Sequence, residues 1–277
     1  MAEKKKIPEK LKKPRAKSSD KSPWWKFALK IFAMLIWVAA STIVSQLIIG
    51  RLMVLIMGVE NFSQPVPMAI YSALSYVLTM FMVILVPPIV ISIRKSKTDK
   101  KKVTIDKKAA REEMGLKDFP TWTDIGLAPV GFIVYLLVAG GLTALFGLFP
   151  WFNVSEAQDV GFNYYITGMD RMIAFVVLVV IAPIAEEIIF RGWLYGKLRN
   201  TVLNRYSNLV SILVSTFLVS LVFGVVHLQW NVGVNVFAMS IVLCVLREIT
   251  GTIYSGILLH MLKNGLAFYL LYVLGMH

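Results

Sequence analysis

Long apolar runs separated by short polar breaks dominate the chain. They cover residues 27–50, 68–93, 125–149, a fourth from about Met172 into Pro183 and the sequence AEEIIFRGWLYGKLRN, then 207–228, 232–246 and 252–274. Most of them reach the roughly 20 residues that a helix needs to cross about 30 Å of hydrocarbon. The first stays apolar past Arg51 to Gly58, and the sixth is short for a full crossing. Pro87 and Pro88 are expected to loosen the last turns of the second run, and Gly140–Gly141 to admit close helix contact in the third. The pattern predicts an all-α polytopic transmembrane helix bundle of about seven spans, within a range of six to eight. No internal repeat is apparent, which argues against an inverted-repeat transporter.

The breaks carry the charge. Residues 1–26 hold ten Lys and Arg and residues 94–117 hold ten more, together 20 of the 29 in the chain. Both stretches flank spans, so they read as orientation signals with some attraction to anionic lipid, and not as a nucleic-acid interface. Residues 1–26 form a basic tail without apolar periodicity, ending at the interfacial pair Trp24 and Trp25. Residues 27–93 form two N-terminal transmembrane helices. Residues 94–124 form a basic loop, with a surface helix expected over 107–116. Residues 125–275 form the core that carries the chemistry below. The positive-inside rule puts the N-terminus, the 94–124 loop and the Arg191–Arg205 segment in the cytoplasm. Residues 150–171, with Glu156, Asp159 and Asp170 against Arg171 alone, read as external.

Composition agrees. Of 277 residues, 57% are hydrophobic, above the ~45–50% of a soluble protein. The single cysteine, Cys244, excludes an intramolecular disulfide and reads as a small packing residue. No cleavable signal peptide is evident, so the first span reads as a retained anchor.

Ionisable side chains cost at least ~2.5–3.5 kcal/mol each near the centre of a span, yet the C-terminal half contains several at helical spacing. In Glu186-Glu187-x-x-x-Arg191, the two acids project roughly 100° apart. Glu187 shares a face with Arg191 at i,i+4 and can pair with it, which leaves Glu186 directed elsewhere. Phe223-x-x-x-His227 stacks a ring beside an imidazole, and Gly224 leaves room for another helix or a peptide. His260-x-x-x-Asn264 puts two polar groups on one face of the last span. Each group alone has a plainer reading: a surface ion pair, an interfacial histidine, an interhelical hydrogen bond. Three in three apolar segments are far more specific. Lys263 is expected to point off the motif face, snorkelling or pairing with another helix.

The three groups, in this order, resemble the motif pattern of the CPBP (CAAX protease and bacteriocin-processing, or Abi) family of intramembrane proteases, which includes the type II CAAX prenyl endopeptidases. The resemblance covers about residues 125–275; the first 120 or so add only extra spans to it. It implies hydrolysis of a peptide bond inside the membrane. Glu186 would be the base, its carboxylate suited to the task by a low-dielectric cavity. His227 would position the water or share its proton, and His260 and Asn264 would donate to the oxyanion. Glu187 and Arg191 would support them, with Phe223 behind His227.

A metal-free site is favoured; the alternative is zinc on Glu186, His227 and His260 with an open position for water. Expected partners are a peptide or membrane-protein substrate and membrane lipid. Simple alternation of spans sets one difficulty, since it separates Glu186 and His227 by about 15–20 Å in depth at 1.5 Å per residue. The fourth span must then extend through Leu198, or the segment after Arg205 must enter at a tilt, or the count must shift. The competing functions are a non-catalytic immunity, scaffold or chaperone protein of the same fold, and a transporter. The basic tail fits a multi-pass protein of a bacterial plasma membrane with a cytoplasmic N-terminus.

Overall fold

The computed structural model describes residues 23–98, 107–117, 119–156, 168–203 and 206–275. Expectations for the tail up to residue 22, for Asp159, Arg205 and His277 fall outside these. Seven helices are long and apolar enough to cross a membrane. They are α1 (Trp24–Phe62), α2 (Pro65–Thr98), α4 (Trp122–Phe146), α5 (Gly168–Asn200), α6 (Asn208–Val225), α7 (Trp230–Thr250) and α8 (Tyr254–Val273). A short helix, α3 (Lys107–Glu113), lies in the basic loop. The protein is an all-helical, integral, multi-pass membrane protein, with no strand among the described residues.

Its outer faces are apolar. Phe32, Leu47, Phe81, Leu137 and Phe217 are all exposed, as expected where hydrocarbon replaces water and helices satisfy their own backbone. The interior is built on Leu194, Leu198, Phe223, Met239, Leu243 and Leu259, with Cys244 fully buried among them.

Gly140 and Gly141 do not serve a helix contact: a methyl at either would meet nothing within 4 Å. Close approach occurs one helical face away, at Gly131, where a methyl would stand 2.9 Å from Leu246 and Leu259. Between α6 and α7 the backbones themselves nearly touch. A methyl on Gly224 would lie 2.8 Å from the Gly233 carbonyl oxygen, so the space at Gly224 admits the neighbouring helix. Helix α2 runs through Pro87 and Pro88 to Thr98.

The sixth apolar run proves long enough to cross, with 21 residues in α7. Arg247 and Glu248 shorten its hydropathy signal but lie inside the helix, because both find partners. Arg247 donates to the Glu113 carbonyl at 3.0 Å, and Glu248 accepts from Arg199 Nε at 2.9 Å and from Tyr195 at 3.1 Å. Arg199 also donates to Ser211 and Asn208, which ties the end of α5 to the start of α6. The α3 segment closes this end of the bundle. Glu113 pairs with Lys197 at 2.6 Å, and Tyr254 donates to the Lys117 carbonyl at 3.1 Å. Asp124 caps α4 together with Thr121 and accepts from Thr252 and Ser255, which fixes the entry of α8.

Helix α5 removes the depth difficulty. It begins at Gly168, before the expected Met172, and continues through Leu198 to Asn200. Glu186 therefore sits near its middle. Wide π turns interrupt it at Val176–Ile181 and Glu187–Leu194, on either side of Pro183. Proline lacks the N–H that the regular ladder needs, and single π turns are common beside functional residues. Measured from Arg199, which is bonded to Ser211, α6 climbs about 18 Å to Phe223 while α5 climbs about 20 Å to Glu186. The two groups reach the same level.

Candidate active site

Glu187 and Arg191 form the base of the site. Both side chains have no solvent exposure, and Arg191 Nη1 donates to Glu187 Oε1 at 2.9 Å. The Arg191 guanidinium also lies 4.3 Å from the centre of the Phe223 ring, a cation–π contact in a desolvated setting. The Phe223 ring meets three further rings edge-on: Phe190 at 4.9 Å, His227 at 5.1 Å and His260 at 5.9 Å. Phe223 therefore walls both histidines.

Each histidine has one ring nitrogen tied down, which fixes the other. His227 Nδ1 lies 2.7 Å from the Phe223 carbonyl oxygen. A carbonyl only accepts, so Nδ1 carries hydrogen and Nε2 of the neutral ring keeps its lone pair. Burial pushes the imidazole below its ordinary pKa, against the pull of Glu186 and of the Phe223 carbonyl. His260 Nδ1 lies 3.1 Å from Glu187 Oε1 and donates to it. His260 Nε2 then stands 3.7 Å from Glu186 Oε2.

Glu186 faces a different way from Glu187, as their spacing requires. It is 16% exposed where Glu187 is fully buried. Its Oε1 accepts from the Tyr76 hydroxyl at 2.6 Å. Asn264 spends one amide hydrogen on the Leu178 carbonyl at 2.9 Å and keeps a second. Tyr76, Glu186, His227, His260, Lys263 and Asn264 all line one cavity of about 280 Å³.

Two features of this cavity depart from expectation. Lys263 lines it instead of pointing away, because at i,i+3 it lies on the same side of α8 as His260. Tyr76 comes from α2, so the N-terminal helices supply part of the site and do more than add spans.

Among the described residues no three His, Cys, Asp or Glu side chains form a group that could hold a metal ion.

Comparison with known proteins meets this geometry on α5 to α8. Residues 168–266 match the family model described as type II CAAX prenyl endopeptidase Rce1-like. No curated protein matches the chain, and no solved structure does. The matched stretch starts at the first residue of α5 and contains all three motifs, in keeping with the CPBP resemblance. The likeness spans 99 of the 277 residues, a part of the chain that lies within a multi-pass membrane protein. Helices α1 to α4 lie outside the match.

Proposed function

We propose that this protein is a metal-free intramembrane endopeptidase in which Glu186 activates the attacking water. One observation carries the reading: Glu186, His227, His260 and Asn264, from three separate segments, line a single cavity. Enclosed by apolar helices, such a cavity strengthens every polar interaction inside it.

In this reading water binds between two acceptors, Glu186 Oε2 and His227 Nε2. As its oxygen attacks the carbonyl carbon of the scissile bond, its proton passes to Glu186. The carbonyl oxygen gains negative charge and meets the second amide hydrogen of Asn264. His260 donates there only when its ring carries a proton on both nitrogens, since Nδ1–H is committed to Glu187. The proton on Glu186 then moves to the leaving nitrogen, and the C–N bond breaks. Glu187 and Arg191 hold His260, and Phe223 holds both rings.

The substrate is a small peptide, a leader peptide or a segment of a membrane protein. A helical substrate must unwind locally to present its bond, and the polar cavity offers partners to the amides released. The basic flanks of the spans favour a cytoplasmic N-terminus.

The test compares host membranes containing the wild-type chain or Glu186→Gln, with new peptide termini among small membrane and secreted proteins read by mass spectrometry. Glutamine keeps the size and cannot take the proton. The expected result is a set of termini present with wild type and lost with the variant at equal expression. Equal termini in both would remove the hydrolase reading.

A further inference from the structure

Every side chain with a role in the proposed reaction lies on α5 to α8, within the matched stretch. One polar group in the cavity does not. Tyr76 sits on α2, 110 positions before Glu186, and its hydroxyl is 2.6 Å from Glu186 Oε1. That length is normal to short for O–H···O, in the range of charge-assisted bonds. Among the described residues it is the hydrogen bond that Glu186 makes. The other titratable groups that line the cavity are His260, Lys263 and Tyr272 from α8 and His227 from the α6–α7 turn. Glu187 and Arg191 are turned toward each other.

A carboxylate on a side chain with three rotatable bonds has many orientations in a polar cavity, and proton transfer requires one of them. A single strong donor on one oxygen selects an orientation and leaves the other oxygen available. Here the available oxygen is Oε2, the one directed toward His260 Nε2 at 3.7 Å.

We infer that Tyr76 is a positioning residue for Glu186: its hydroxyl fixes Oε1, presents Oε2 to the water, and makes α2 a working part of the site. The inference rests on Glu186 as the base. It also gives the N-terminal helix pair a purpose beyond anchoring. Helix α2 packs along α5 on both sides of Glu186, so a shift of α2 would move the donor and change the base without touching any motif residue.

The experiment reads the protonation of Glu186 directly and needs no substrate. Dicyclohexylcarbodiimide enters apolar sites and modifies protonated carboxyl groups. The full-length protein in lipid nanodiscs is treated across a range of pH, and modification at Glu186 is quantified by peptide mass spectrometry, with Glu186→Gln as the blank. A donor stabilises the ionised form of the carboxylate it meets, so removing it moves the midpoint of labelling to higher pH. Tyr76→Phe is expected to raise the midpoint by about one to two pH units. Replacement of Tyr76 by 3,5-difluorotyrosine, a stronger donor of nearly the same shape, is expected to lower it. Tyr71→Phe, on the same helix but outside the cavity, is expected to match wild type.

A midpoint unmoved by both changes at position 76 overturns the inference. Should Glu186→Gln abolish peptide cleavage all the same, Tyr76 is lost and the base stands. Should Glu186→Gln cleave normally, the base reading falls, and with it the positioning role of Tyr76.

Discussion

His260 Nδ1 lies 3.1 Å from Glu187 Oε1, the same oxygen that accepts from Arg191 Nη1 at 2.9 Å. Glu187 is therefore a strut: one of its oxygens holds both an imidazole on α8 and a guanidinium on its own helix. Adjacent glutamates in the sequence thus have separate tasks, and substitution should separate them. Glu187→Ala leaves a buried, unpaired Arg191 and is expected to cost about 3–5 kcal/mol. Thermal unfolding in detergent is expected to fall sharply for Glu187→Ala and to stay near wild type for Glu186→Gln. Equal losses in the two variants would contradict the division.

The strut also needs space on α8. A methyl on Gly256 would stand 3.0 Å from Glu187 Oε2. Gly256→Ala is expected to push the carboxylate off His260, with a cost of about 1–3 kcal/mol from overpacking. Cleavage is expected to drop more than thermal stability does. A variant with wild-type cleavage would show that the Glu187–His260 contact has no influence on the reaction.

The contact between α6 and α7 sets the position of His227. At Gly224 a methyl would come within 2.8 Å of backbone, and backbone cannot rotate out of the way. Gly224→Ala is expected to pry the two helices apart and carry His227, three residues on, away from Glu186. Histidine accessibility, read by diethylpyrocarbonate modification of His227, is expected to rise. Unchanged modification with normal folding would count against the arrangement.

The pH dependence of cleavage follows from His227. Only the neutral ring has a lone pair on Nε2, and burial holds its pKa below the ordinary value. The His227 contribution therefore persists below pH ~6.5, where an unperturbed histidine titrates, and is lost on further acidification. A rate profile of wild type against His227→Gln isolates this limb. A His227 limb centred at or above pH 6.5 would contradict the assignment.

Much of this was legible in the sequence because it is local. The spans follow from run length. The three i,i+4 groups follow from helical spacing, and Glu187 meets Arg191 as that spacing requires. The remainder depends on what the helices pack against. No periodicity links Tyr76 to Glu186 across 110 positions, so the donor on α2 had no sequence signal. Lys263 carried a signal that its i,i+3 spacing from His260 supplies, obscured by its position directly beside Asn264. Gly140 and Gly141 show that a small-residue pair marks an interface only when a second helix is there to meet it. The full length of α7 was hidden because Arg247 and Glu248 look like an exit from the membrane until Arg199 and the Glu113 carbonyl are placed against them.

Phe223 touches Arg191, His227 and His260 at once, so one ring is the common reference for groups on three helices. Errors at that point cannot stay local. A slight rotation of α6 would misalign both imidazoles in concert, so double substitutions at Phe223 and either histidine should lose less than the sum of their separate losses. The site has a single keystone and few independent parts, and partial failure is not among its modes.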